Sequence, residues 1–597
     1  MKEHRTREQA RAAAIEKVKR MERQADSKYR YHDARPIIDL ADMFESSVKE
    51  FGDNTAFYVK DVPGGPYRGI TYRQAKEDVD ALGTMLIHLG LAGKPIAVIG
   101  ENRYEWAISY LAIVGTDSLV VPLDKELPEG DLEYLIKDAG VECVIYAGKF
   151  HKFFYGLIDK DDNLLSHIIN MDLAESRDDE LAFAKVMEQG KLRIAEGDHS
   201  YHDVIIDPFK LSILLYTSGT TGMAKGVMLS HHHIAQNLMD MTTLVHIVPE
   251  DNFFSVLPIH HTYECTCGFL LPLYRGAAIS YCEGLKYIVK NLSEAKPTVF
   301  LGVPLIFEGI YKKLNQQIKK SGSEAKVQKI LALNKTTKKF GIDLVKLLLG
   351  KVTGVFGGRM RLMIAGGAAI DPAVLDGLRA FGINALQGYG LTECSPILAV
   401  NPDYAPKSAS AGLPPREITV KLVDPDDNGI GEIAAKGENI MMGYYHNKAA
   451  TDEVLKDGWF MTGDLGFLDQ DGYIHITGRK KNVIITKNGK NVYPEELEYL
   501  LGQIPYVEES MVWAVDHPDG GETSIRATIK PDLLEVQESL GAEYTPQQLE
   551  DLIGMHIDQL NKELPMYKKI RKFVIRTEDF EKTTAKKIKR HVAENRE

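Results

Sequence analysis

The sequence predicts an α/β protein with a large N-terminal body and a smaller C-terminal domain, and three observations carry this. From Ile38 onward, short β-rich runs alternate with helical patterns, which is the βαβ signature of a parallel sheet covered by helices. After Gly412 the pattern changes to short strands and tight turns (DPDDNGIGEIAAKG, DQDGYIHITG), predicting a small β-rich subdomain over 412–478. From Arg479 the chain has strands and helices of its own, so 479–597 is expected to form a separate domain.

In chain order, residues 1–31 read as a basic helical arm, with ten Lys or Arg against five acids. Its apolar stripe (Ala14, Val18, Met21, Ala25) is thin, so a solvated arm is expected. The body, 32–478, shows strands at Lys94–Gly100 and Ser118–Pro122 with a helix through Trp106 between them. Further strands are expected at Leu211–Tyr216, Asn252–Leu257, Thr298–Leu301, Arg361–Ala365 and Ala385–Gln387. Tyr311 to Lys351 holds eleven Lys and two acids, and a solvated helical excursion fits it.

Composition limits the function. With 597 residues, 44% hydrophobic and 26% charged, the chain is neither disordered nor a disulfide-stapled miniprotein. At roughly 150 residues per domain it holds about four folding units and room for a cleft. A net charge of -12 argues against a nucleic-acid partner. Five cysteines (Cys143, Cys265, Cys267, Cys282, Cys394) form no disulfide framework and fit a reducing compartment, so a cytoplasmic location is expected. No run approaches the ~20 apolar residues that span a bilayer.

Leu214 to Ser230, LLYTSGTTGMAKGVMLS, is the most informative stretch. An apolar strand enters a loop of Thr217, Ser218, Gly219, Thr220, Thr221 and Gly222, with Lys225 beyond it. Glycines let backbone N–H groups turn inward, hydroxyls add donors, and the lysine adds a mobile positive charge, which together make a phosphate cradle. The spacing from Gly219 to Lys225, and Gly226 after the lysine, exclude a Walker A loop.

Five more elements follow in order: Gly366-Gly367-Ala368, QGYGLTECSP from Gln387, WFMTGDLG from Trp459, Gly478 to Glu498, and a Lys-rich finish. With them the chain resembles the adenylate-forming (AMP-binding) superfamily from about Ile38 to Arg590, and is most similar to bacterial long-chain fatty acyl-CoA synthetases. The resemblance implies a large N-terminal domain of two helix-covered sheets plus the β-rich subdomain, then a smaller mobile α+β lid. It also implies ATP, Mg²⁺ and CoA as cofactors and co-substrate. Tyr389, within Gln387-Gly388-Tyr389-Gly390, offers an aromatic face for adenine, and Thr392 a hydroxyl for the α-phosphate. Glu393 is a hard carboxylate suited to Mg²⁺. Asp464 would accept both ribose hydroxyls, with Arg479 as a second ribose or phosphate contact. Gly366, Gly367 and Ala368 would let the backbone lie close to the adenine, although an ordinary strand-to-helix turn explains them equally.

A carboxylate is ionised at neutral pH, so its attack on the α-phosphate needs charge neutralisation rather than a general base. The family places a lysine for this near the C-terminus, and the register selects Lys587, with Lys586 as the alternative. The family hinge falls on Lys481, and Gly489 falls on the thiol-channel loop, where a plain Asn-Gly turn is an equal explanation.

LPIHHTYE (Leu257 to Glu264) resembles the long-chain version of its block, as do KPTVFLGVP from Lys296, GGRMRL from Gly357 and NRYEW from Asn102. Long-chain fatty acid is therefore the expected substrate, with His260 and His261 in the acyl-pocket wall. A metal cluster of these histidines with Glu264, Cys265 and Cys267 matches no usual zinc spacing. Three functions stay open: an acyl-CoA ligase, an adenylating enzyme serving a carrier protein, and a silent nucleotide-binding regulator. No carrier domain is recognisable, which favours free CoA. The basic segments at the N-terminus (+5), Tyr311–Lys351 (+9) and the tail from Lys562 (+6) leave -32 elsewhere, so peripheral contact with an anionic membrane is also an expectation.

Overall fold

The computed structural model describes residues 6–23, 32–158, 165–177, 179–217, 224–337, 344–345, 354–486, 490–515, 523–582, 588–590 and 592–596. Contacts divide the chain into two units, Met1–Thr419 with Ala435–Phe460, and Val420–Ala434 with Met461–Glu597.

The first unit holds two eight-stranded sheets. One sheet runs in the order Ile397–Val400, Asn384–Gly390, Leu362–Ala365, Val299–Gly302, Asn252–Ser255, Ala278–Tyr281, Thr55–Val59 and Arg68–Thr71. Its consecutive strands from Asn384–Gly390 to Thr55–Val59 pair in parallel, so their carboxyl ends share one edge. The other sheet runs Gly443–Tyr444, Lys225–Leu229, Ile213–Thr217, Leu119–Pro122, Pro95–Ile99, Cys143–Tyr146, His167–Asn170 and Leu181–Ala182. The strands expected from sequence are present within one to three residues of their predicted ends, the largest difference being Asn384–Gly390, which runs three residues past Gln387.

Two twelve-residue helices are buried nearly all round, the first apolar and the second with polar side chains among those it buries. Tyr104–Gly115 is buried from Trp106 onward. His231–Thr242 starts where Ser230 caps it: Ser230 Oγ accepts from His233 N, and His233 Nδ1 accepts from Ser230 N, which explains the triple histidine as a helix start. Fully buried Asn237 on this helix donates from Nδ2 to Ile397 O at 2.8 Å and accepts from Ile397 N at 3.2 Å. It thereby fixes the helix that follows one sheet's hairpin to an edge strand of the other sheet.

Two expectations change. The N-terminal arm is not solvated: the helix Arg7–Arg23 buries Ala10, Ala14, Lys17, Val18 and Met21. Arg7 pairs with Asp39, Arg11 with Asp42, Lys17 with Asp240 and Arg20 with Glu417, so four of its cations are engaged in ion pairs within the protein, Lys17 alone with its side chain buried. The Lys-rich excursion also packs, as Pro304–Lys320 and Glu324–Thr337 bury Leu314, Ile318, Val327 and Ile330 against Phe381. No helix among the described residues is long and apolar enough to cross a membrane.

In the second unit, Ile474–Arg479 pairs antiparallel with the strand ending at Leu468. Beyond it, Val507–Val515, Ser524–Pro531 and Ile570–Ile575 form a three-stranded sheet, the first pair antiparallel and the second parallel. Leu497, Val512, Ala527, Ile529, Ile553 and Ile557 make its core with helices Pro494–Gly502 and Pro546–Glu563.

Candidate active site

Strand direction gathers the motifs. LPIHH follows Asn252–Ser255, Gly366-Gly367-Ala368 follows Leu362–Ala365, and the turn holding Thr392 and Glu393 follows Asn384–Gly390. All three leave the carboxyl edge of one parallel sheet, the edge where open α/β sheets bind ligands. Ala365 sits opposite Gln387 in register, so the two motifs expected to meet the nucleotide begin side by side. Gly366 has a reason of its own to be glycine: a Cβ there would lie 2.7 Å from Tyr263 Cζ. Gly367 and Ala368 are exposed, while Gln387, Gly388 and Tyr389 are buried and Gly390 is exposed.

The hairpin strands expected to flank a phosphate loop belong to the other sheet. Thr217 ends one strand and Lys225 begins the next, paired opposite each other, and Thr217 Oγ1 donates to Lys225 O at 3.4 Å. Ser218, Gly219, Thr220, Thr221 and Gly222 lie outside the described residues, as do Gly489, Lys586 and Lys587.

Lys225 Nζ lies 4.9 Å from the ring centroid of Tyr444, and Tyr444 OH donates to Glu393 Oε1 at 2.7 Å. The structure thus joins the hairpin lysine to the carboxylate expected to meet Mg²⁺. Burial, with Glu393 beside it, pushes the Tyr444 phenol well up, which keeps it a donor. The Glu393 turn is held from below by fully buried Asn439, whose Nδ2 donates to Cys394 O at 2.8 Å and Ile397 O at 3.2 Å. Ser395 Oγ donates to Asn439 O at 2.9 Å. Sequence reasoning missed Tyr444 and Asn439. The only local signal was an aromatic pair after a glycine, and the pairing of Tyr444 with the hairpin strand is a long-range fact.

The donors fit Mg²⁺. Glu393 is a half-buried carboxylate with Oε1 committed to a phenol, and Thr392 Oγ1 is its sequence neighbour. One carboxylate completed by substrate phosphates and water is how Mg²⁺ is usually held.

The LPIHHTYE block turns into a π-helix, Tyr263–Leu270, a rare form frequent at functional sites. Asn102 anchors the block, donating from Nδ2 to Leu257 O at 2.6 Å and to Ser255 Oγ at 2.9 Å while Oδ1 accepts from Ile259 N. His260 Nε2 lies 3.6 Å from Asp124 Oδ2, and His261 Nδ1 accepts from Tyr263 N at 3.2 Å. Glu264 is fully buried and accepts from Ser255 Oγ at 2.5 Å; burial raises its pKa to about 8. Cys265 and Cys267 are buried, their thiols pushed up by the same desolvation.

In the second unit, Asp464 sits opposite Arg479, and Arg479 Nε lies 2.6 Å from Asp464 Oδ1. Lys481 lies exposed in the short helical turn Lys480–Asn482. The residues flanking the C-terminal lysines are tied together: Lys582 and Ile588 form an antiparallel bridge. Fully buried Asn595 donates from Nδ2 to Glu581 O and to Lys589 O, both at 3.0 Å.

This fold and these motifs define an adenylate-forming enzyme. Residues 44–445 match the AMP-binding enzyme family, and the chain belongs to it. Among similar proteins, the long-chain-fatty-acid–CoA ligase of Escherichia coli O6:H1 is 29% identical over 84% of this chain and 87% of its own. ATP-bound MatB from Rhodopseudomonas palustris superposes with a TM-score of 0.69 at 25% identity, covering 92% of this chain and 97% of that one. An anthranilate CoA ligase in complex with anthranoyl-AMP gives 0.73 at 22% identity, covering 94% and 96%.

Proposed function

We propose that the chain is an ATP-dependent acid–thiol ligase acting on long-chain fatty acids. The observation that carries this is the convergence of Lys225, Tyr444 and Glu393, which brings a phosphate-binding cation and a metal-binding carboxylate to one aromatic ring in a member of the AMP-binding family. Likeness to a long-chain fatty acid ligase and the LPIHHTYE block favour that substrate class.

In the first half-reaction a carboxylate oxygen of the fatty acid attacks the α-phosphorus of ATP. The bond to the β-phosphate bridging oxygen breaks, and pyrophosphate leaves with that electron pair. Bound Mg²⁺ supplies charge neutralisation across the phosphates. Thr217, Lys225 and the hydroxyl-rich loop hold the phosphates, Thr392 meets the α-phosphate, Tyr389 stacks on the adenine, and Asp464 with Arg479 holds the ribose. Lys587 offsets the negative charge that gathers between the two anions. In the second half-reaction the CoA thiol gives its proton to solvent, its sulfur attacks the acyl carbon, the bond from that carbon to the phosphate oxygen breaks, and AMP departs with that electron pair. In this reading the domain 479–597 turns about Lys481 between the steps, exchanging Lys587 for the Gly489 loop. Transfer to a carrier protein's thiol is the alternative acceptor.

Thioester formation across carboxylates of rising chain length, with CoA or a carrier protein as acceptor, tests this. With CoA, kcat/KM is expected to climb by up to about fourfold per methylene until the pocket is filled. A preference for short or aromatic acids would remove the long-chain assignment, and transfer only to the carrier protein would remove CoA.

A further inference from the structure

Tyr444 stands where three separately built elements meet. In the antiparallel pairing of Gly443–Tyr444 with Lys225–Leu229 it lies opposite Val227. Side chains alternate along a strand, so Lys225 and Val227 share a face, and Lys225 becomes the diagonal neighbour of Tyr444 on it. Just before this strand, Met441 N donates to Glu393 O at 2.8 Å, docking the chain against the YGLTE turn. Tyr444 N then donates to Thr451 Oγ1 at 2.8 Å, and the side chain is buried. Backbone contacts on three sides therefore fix the ring before its hydroxyl and face are used.

We propose that Tyr444 is a positioning residue for the metal–triphosphate end of the site, its hydroxyl orienting the Glu393 carboxylate and its ring face seating Lys225. The proposal rests on the adenylation reading above. A carboxylate with both oxygens open can swing or chelate. With Oε1 held by the phenol, Glu393 presents Oε2, the one-oxygen contact suited to the octahedral demand of Mg²⁺. The ammonium of Lys225 is attracted to the electron-rich ring face, so its stem is held over Tyr444 before nucleotide arrives. One side chain thus keeps a cation and a carboxylate from distant parts of the sequence in a constant relation, without their neutralising each other directly.

The experiment separates hydroxyl from ring. Tyr444→Phe removes the donor alone, Tyr444→Ala removes both parts, and Tyr444→His restores a ring with an N–H donor. Mn²⁺ binding to the ATP complex is followed by electron paramagnetic resonance, and acid-dependent pyrophosphate release is titrated with Mg²⁺ and with ATP. Tyr444→Phe is expected to weaken Mn²⁺ binding and raise the Mg²⁺ half-saturation point by about 10-fold or more, since groups that orient a metal ligand carry effects of that size. Its KM for ATP at saturating Mg²⁺ and its thermal midpoint should stay near wild type. Tyr444→Ala should raise the KM for ATP as well, and Tyr444→His should recover part of the Mn²⁺ affinity. Mn²⁺ affinity of Tyr444→Phe within about twofold of wild type overturns the proposal, whatever its midpoint. A wild-type protein that binds Mn²⁺–ATP yet releases no pyrophosphate with any acid removes the adenylation reading, and the Mn²⁺ comparison still decides the role of Tyr444.

Discussion

Glu264 shows how much a single side chain's surroundings decide. In the sequence it belongs to a cluster with His260, His261, Cys265 and Cys267 that invites a metal; in the fold it is a buried acid bonded to Ser255 Oγ. Gly268 belongs to the same arrangement, because a Cβ there would lie 2.7 Å from Glu264 Cδ. Burial raises the folded-state pKa from 4.5 to about 8, so between those values the folded protein binds a proton that the unfolded chain releases. Glu264 therefore favours folding at low pH, and that contribution is lost as pH rises toward 8. Glu264→Gln keeps the shape and cannot ionise. Between pH 6 and 8 wild type should lose stability relative to this variant by at most about 1.4 kcal/mol per pH unit, read from thermal midpoints across pH. Parallel pH profiles would show that Glu264 does not titrate in this range. Asp464, Thr392 and Glu393 could be singled out from the sequence because a carboxylate or hydroxyl inside a distinctive motif suggests its chemistry locally. Tyr444 was not, because its role exists only once two strands far apart in sequence pair.

At the scale of elements, the N-terminal helix was half legible. The stripe Ala14, Val18, Met21 is visible in the sequence and is the face that packs. What anchors it was not visible, since Asp39, Asp42, Asp240 and Glu417 come from separate stretches of chain. Lys17 is the most consequential residue of the helix. Its side chain is 5% exposed against 2% for Asp240, its Nζ lies 2.8 Å from Asp240 Oδ1, and it also donates to Gln236 Oε1 at 2.7 Å. Lys17→Met would leave a buried carboxylate without its cation, a loss of about 3–5 kcal/mol for pairs of this kind. Burial raises the Asp240 pKa to about 6 even with Lys17 present, so protonation should relieve part of that cost in acid. The fall in thermal midpoint is therefore expected to be larger at pH 8 than at pH 5. Equal falls at both pH values would mean that lost packing, rather than the stranded charge, governs the effect. The helix His231–Thr242, by contrast, carries its start signal locally, because Ser230 is a capping residue type whose Oγ accepts from His233 N.

For the molecule as a whole, strand and helix alternation foretold the layered body, and parallel pairing explains why motifs far apart in sequence leave the same sheet edge. Acyl-pocket depth was not legible, since it is a property of packed volume, to which no motif corresponds. The uneven charge suggested basic segments available to an anionic membrane, whereas the N-terminal helix engages part of that charge in ion pairs within the protein. In the proposed reaction this chain joins a carboxylate to AMP with Lys587 at the reacting centre. Exchange of labelled pyrophosphate into ATP, with a long-chain fatty acid, tests it most directly in wild type and in Lys587→Ala. Exchange is expected to need both acid and Mg²⁺ and to fall by about 10²–10³-fold in the variant. No exchange in wild type with any carboxylate, or equal exchange in the two proteins, would contradict it.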